Sequence, residues 1–196
     1  MDSDSQTVAL ELFPFGPADI ERLTGVTRDM QRDWRRRGIA GPRRLGHVGD
    51  LIAFDLTRQI GKIMGDLTAA SPVAAMFMPA VLYRVARDPR AWADGSLAVS
   101  AADQAELVLR ALGQTAPPDI AYGFHCAGVT LIARDYETGV NHFRESKASG
   151  LLVSADFDLV AASFLHRAAG QPFARLTWAT ADEADHLHSN PQRTLQ

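Results

Sequence analysis

The residues with the most chemical content in this chain are arginines. Arg28, Gln31, Arg32 and Arg35 recur at i, i+3, i+4 and i+7, a spacing that sets four side chains along one stripe of a helix. Arginine reaches both acceptors of a guanine edge, glutamine matches adenine, and arginine also grips phosphate, so a stripe of this make-up suits the major groove of duplex DNA. Arg36, Arg37, Arg43 and Arg44 extend the basic density. Between Arg28 and Arg44 seven arginines face two acids, Asp29 and Asp33, a local charge of +5, whereas from Leu67 onward ten basic residues face thirteen acidic ones. A basic patch on a chain of net charge −3 fits one segment that meets phosphate, not a surface that coats nucleic acid.

Other chemistry is sparse, and no catalytic, metal-binding or cofactor residue is assigned. His125, His142 and His166 stand alone, and His186-x-His188 has ligand spacing but no third ligand nearby. Asp156 and Asp158 could form an acid–base pair, but they fall at a predicted helix start, where aspartate caps. Cys126, the single cysteine, reads as a half-buried structural thiol. There is no glycine-rich phosphate loop, no G-x-S-x-G and no H-E-x-x-H, so the expectation is a protein that is not an enzyme.

The elements that must carry the arginines are legible locally. Pro17 suits a first helical position with Gly16 before it, Ile20 and Leu23 share a face, and Gly25 ends the helix in a left-handed turn. Val26 fills the turn, and Thr27 caps a second helix with Asp29 in its first turn. Met30 and Trp34 are expected to form the inward ridge of that helix, which places Thr27, Arg28, Gln31, Arg32 and Arg35 outward. Gly38, Gly41 and Pro42 stop the helix. Leu45–Phe54 is expected to form a hairpin bent at Gly46 and Gly49, bringing Arg43, Arg44 and His47 to backbone or minor groove, and Asp55 is expected to cap a third helix. Two helices around a glycine turn, a two-stranded wing and a further helix describe a winged helix-turn-helix.

The same stretch resembles the DNA-binding domain of MerR-type regulators. The second helix of that family runs arginine, aromatic, aromatic, acid, two variable residues, glycine, apolar. Arg32, Trp34, Gly38 and Ile39 match that register, LTGV at 23–26 fits the turn, and Phe54-Asp55 resembles the pair opening the family's third helix. Asp33 and Arg35 stand where the family has an aromatic and an acid. The resemblance implies that Arg32 contacts phosphate or base, that Trp34 sits at the core edge near the backbone, and that the wing bears on the duplex.

The expected fold class is α+β, an N-terminal winged helix-turn-helix followed by a helical connector and a small α+β module. The expected segments are a tail over 1–12 that runs into an extended stretch at Leu10–Phe15, the DNA-binding domain over 13–68, the connector over 69–116, the module over 117–182 and a second tail over 183–196. Pro72 and Pro79 are expected to divide the connector. Ser100 caps a helix ending at Gly113, Ala127–Arg134 reads as a strand, Phe157–Ala168 as an amphipathic helix and Phe173–Trp178 as a weak strand. No apolar run approaches the ~20 residues of a bilayer crossing, and the polar start, MDSDSQTV, lacks the pattern of a secretory leader. The chain is expected in the cytoplasm, without membrane contact. The expected function is a sequence-specific, dimeric transcriptional regulator bound to double-stranded DNA, with RNA polymerase as candidate partner. The alternatives are an excisionase- or terminase-type accessory factor working with a recombination or packaging enzyme, and a protein-interaction module without DNA contact.

Overall fold

The structure, a computed structural model, describes residues 7–39, 46–116 and 119–179. In chain order these form β1 (Thr7–Leu12), α1 (Pro17–Thr24), α2 (Arg28–Arg36), α3 (Val48–Met64), α4 (Leu67–Arg87), a 3-10 turn at Pro89–Ala91, α5 (Ala101–Ala111), β2 (Tyr122–Cys126), β3 (Val129–Ala133), α6 (Tyr136–Glu145), β4 (Val153–Asp156), α7 (Phe157–Arg167) and β5 (Ala174–Ala179). The architecture is α+β.

Its centre is the α3–α4 hairpin. Gly65 closes α3 at φ 71°, and Asp66 caps α4 by accepting from the amides of Thr68 and Ala69. Pro72 and Pro79 do not divide α4, which runs unbroken for 21 residues. Each proline forfeits a helical hydrogen bond, but Val73, Ala74, Phe77, Val81 and Leu82 are all buried along the helix, and packing of that face outweighs local propensity. By length and composition this helix alone among the described residues could cross a membrane, and 56% of its apolar window is buried inside the fold.

The expected hairpin over Leu45–Phe54 is not what residues 46–54 form. Gly46 makes an isolated two-way bridge with Phe15, with N–O distances of 2.8 and 3.1 Å, and α3 begins directly after His47. The His47 amide donates to the Asp50 carboxylate at 2.9 Å, which caps the helix start. Val48, Leu51, Ile52, Phe54 and Leu56 are buried, an apolar spread of helical rather than alternating period. Asp55 is therefore a buried mid-helix residue and not a cap.

Two small sheets complete the fold. The first pairs β1 with β5, antiparallel, from Thr7 opposite Ala179 to Leu12 opposite Ala174. Residues 7–12, expected within the tail, thus form a strand bonded to the last one described, while residues 1–6 and 183–196 lie outside the described residues. The second sheet has the order β3-β2-β4. The strand expected at Ala127–Arg134 is β3, but Ala127 and Gly128, both at positive φ, form the turn of its hairpin with β2. Phe77 of α4 packs on Gly123 of one face, and Gly139 of α6 packs on Phe124 of the other. The expected helices at 100–113 and 157–168 are α5 and α7, capped by Ser100 and Asp156. One apolar core runs from Phe15, Ile20 and Leu23 through α3 and α4 to Phe157, Phe164 and Phe173.

Candidate nucleic-acid interface

Helix α1 starts at Pro17, and Gly25 ends it at φ 69°, its amide bonded to the Glu21 carbonyl at 2.8 Å. Val26 is fully buried, and the Thr27 hydroxyl accepts from the Met30 amide at 3.3 Å to start α2. Helix, three-residue turn and helix are thus held by the residues the spacing singled out. Trp34, 1% exposed, stacks on Phe54 of α3 with ring centroids 5.8 Å apart, which anchors α2 to the central hairpin.

The orientation of α2 differs from the expected one. Gln31 is fully buried, and its Nε2 donates to the carbonyls of Pro17 at 2.8 Å and Val26 at 2.9 Å. It is a tie between the start of α1, the turn and α2, and not an outward base reader. The inward face is centred between Gln31 and Trp34, rotated by about 50° from a Met30–Trp34 ridge, at 100° per residue. Arg35 turns inward with it: half-buried, its guanidinium donates to the side-chain Oε1 of Gln31 at 3.4 Å.

The rotation brings forward Arg28, Arg32 and Arg36, at i, i+4 and i+8, whose side chains are 63%, 79% and 81% exposed. Each has an acid beside it: Arg28 lies 3.7 Å from Glu21, Arg32 3.3 Å from Asp29 and Arg36 2.6 Å from Asp33. Arg37 shares Asp33 at 3.4 Å and donates to the Thr68 hydroxyl at 3.2 Å. The Arg36 hydrogen bond, helped by Arg37, holds the Asp33 carboxyl below the usual carboxylate range. Such exposed pairs are worth between about 0 and 1 kcal/mol, so a phosphate oxygen competes with the carboxylate on equal terms.

Thr27 is exposed at the tip of α2, as expected. His47 is half-buried at the cap of α3, and its Nδ1 has no partner among the described residues. Beside it, burial pushes the Asp50 carboxyl upward, against the pull of the His47 amide and of the His47 and Arg35 charges. Arg43 and Arg44 lie outside the described residues, between Ile39, which is buried, and the Gly46 bridge to Phe15.

Three basic residues behind the turn escaped the sequence reading. The Arg58 guanidinium lies against Gly25, Lys62 follows one turn later, and Arg167 of α7 donates to the Leu23 carbonyl at 3.1 Å and pairs with Asp55. Asp55 also accepts from Gln59 at 2.8 Å, and its burial pushes its carboxyl up despite Arg167 and Arg58. The signal for Arg58 and Lys62 was their i, i+4 spacing on an otherwise apolar helix. What the spacing alone did not give is the packing of α1 and its turn on α3, which sets the pair beside Gly25.

Elsewhere, Asp156 caps α7 and Asp158 pairs with Arg84 at 2.6 Å, so these carboxylates are structural. Cys126 is buried. His125 has its Nδ1 2.9 Å from the Thr130 hydroxyl, beside an open hollow of about 560 Å³ that Pro72, Val73 and Leu151 also line. Among the described residues no three His, Cys, Asp or Glu side chains converge as metal ligands. Compared with family models, curated proteins and solved structures, the chain matches none of them.

Proposed function

We propose that this protein binds double-stranded DNA as a sequence-specific transcriptional regulator of MerR-like type, acting in the cytoplasm and as a dimer on a two-fold site. The observation that carries the reading is the row Arg28, Arg32, Arg36, exposed on the outer face of the second helix of a helix-turn-helix whose turn is fixed by Gly25 and Gln31. In a major groove that row would meet base edges and phosphates, with Thr27 at the leading end and Arg37 behind. Arg43 and Arg44 would add backbone contacts from the segment that follows. Gln31 and Arg35 take no part in base reading and serve to orient the helix.

The test is a mobility-shift series with the full chain on genomic fragments, followed by a salt titration on the best fragment. Binding should weaken by roughly 10³-fold between low and moderate salt if about six phosphates are engaged. The triple change Arg28→Ala, Arg32→Ala, Arg36→Ala should abolish the shift while leaving the thermal transition in place. No shift at low salt on any fragment, or full binding by the triple variant, would refute the reading.

A further inference from the structure

A hollow of about 350 Å³ opens behind the recognition helix, where the turn and α2 face α3 and the start of α4. Two glycines make room for it. Gly25 presents only backbone beside the Arg58 guanidinium, and Gly61 admits the Leu67 side chain so closely that any larger residue would collide with it. Met30, Leu67 and the base of Trp34 supply apolar wall, and no carboxylate lines the hollow. Its charges are two cations, Arg58 and Lys62.

Neither cation is well satisfied. The Nε of Arg58 is buried and makes no hydrogen bond, and the nearest carboxylate oxygen, Oδ1 of Asp55, stands 3.9 Å from its guanidinium without a hydrogen bond of its own, Oδ2 being taken by Arg167 and Gln59. Lys62 is exposed, and no ion pair engages it among the described residues. An anion in the hollow would face the two cations that line it, and a charge-assisted contact to either is stronger than a neutral one. An apolar hollow with a few convergent polar groups is also the usual form of a small-molecule site.

We propose that this hollow binds a small amphipathic anion, a carboxylate or sulfonate on an aromatic or branched apolar body. The anionic group bridges Lys62 and the Arg58 side chain, and the apolar body covers Met30 and Leu67 above Trp34. A bare phosphate would match the charge and leave those walls wet, so the apolar body is part of the assignment. The site stands whether or not α2 meets DNA.

The probe is 2-naphthoate, titrated into the full chain by calorimetry, with 2-naphthamide as its uncharged match and inorganic phosphate as competitor. Naphthoate should bind with a Kd on the order of 1 mM or tighter, as about a dozen heavy atoms give. Naphthamide should bind about ten-fold more weakly, Lys62→Met should cost about five-fold, and Lys62→Arg should restore binding. Lys62 is exposed, so Lys62→Met leaves folding intact, and Lys147→Met serves as a remote control. In methyl spectra the Met30 signal should move and that of Met76 should not. Equal affinity for acid and amide, unchanged affinity in Lys62→Met, displacement by phosphate at matched concentration, or no binding in the millimolar range would each overturn the assignment.

Discussion

Gln31 and Arg32 are neighbours in the chain with opposite tasks, and substitution separates them. Gln31→Ala leaves the carbonyls of Pro17 and Val26 without a donor and opens a hole beneath α2, so it should lower stability by about 2 kcal/mol in urea denaturation. Arg32→Ala, at an exposed site, should change stability by no more than about 0.5 kcal/mol while weakening DNA binding. A Gln31→Ala protein of full stability with altered base preference would return Gln31 to the reading face. Asp55 is a third case. Its removal leaves Arg167 and Arg58 facing each other near the Leu23 carbonyl with no carboxylate between them. Asp55→Ala should therefore cost about 2 kcal/mol in the thermal transition, more than either arginine's exposed edge would suggest.

At the scale of elements, what the sequence disclosed depended on how far apart the determinants lie. Helix α1, its turn and the start of α2 were legible because Pro17, Gly25 and Thr27 each act on backbone within a few residues. The rotation of α2 was not, because a glutamine in an amphipathic pattern reads as surface until a carbonyl fourteen residues earlier is known to receive it. The hairpin expected at Leu45–Phe54 failed for a related reason: two glycines outweighed the His47–Asp50 cap that starts a helix there. Strand β2 went unread because Tyr122–Cys126 is short and its partners lie in β3 and β4. Helix α6 offers a pH test. Its cap, Asp135, accepts from the Thr138 amide at 2.7 Å and the Thr138 hydroxyl at 2.8 Å, bonds that hold its carboxyl below the ordinary range. A depressed folded value means the cap contributes above the unfolded value of about 3.9 and is lost as pH falls through the folded one. Amide exchange in the first turn of α6 should rise over that acid window, and Asp135→Asn should remove the pH dependence.

At the scale of the molecule, the helix-turn-helix segment and the rest share one core. The Phe15 and Phe173 rings lie tilted with centroids 5.6 Å apart, Arg167 reaches back to α1, and among the described residues β1 pairs with no strand but β5. A fragment of residues 13–68 should therefore show no cooperative thermal transition in circular dichroism, and the full chain should unfold in one step by far- and near-ultraviolet probes alike. Removing residues 1–12 should lower the midpoint by many degrees, since it strips β5 of its partner and leaves a bare sheet edge. A stable, cooperatively folding 13–68 fragment would show that the shared core is dispensable to that segment.

The pairing of the first described strand with the last also sets a schedule for synthesis. Leu12 and Ala174 are opposite partners, yet at roughly 5–20 residues per second the ribosome releases them about ten to thirty seconds apart. Throughout that interval the nascent β1 is an unmatched strand, and α1 waits for the Arg167 bond to its Leu23 carbonyl although α3 and α4 have already emerged. A truncated or stalled translation product would carry the arginines of α2 on an incomplete core, and on the proposed DNA-binding reading it should occupy operators less well than the full chain.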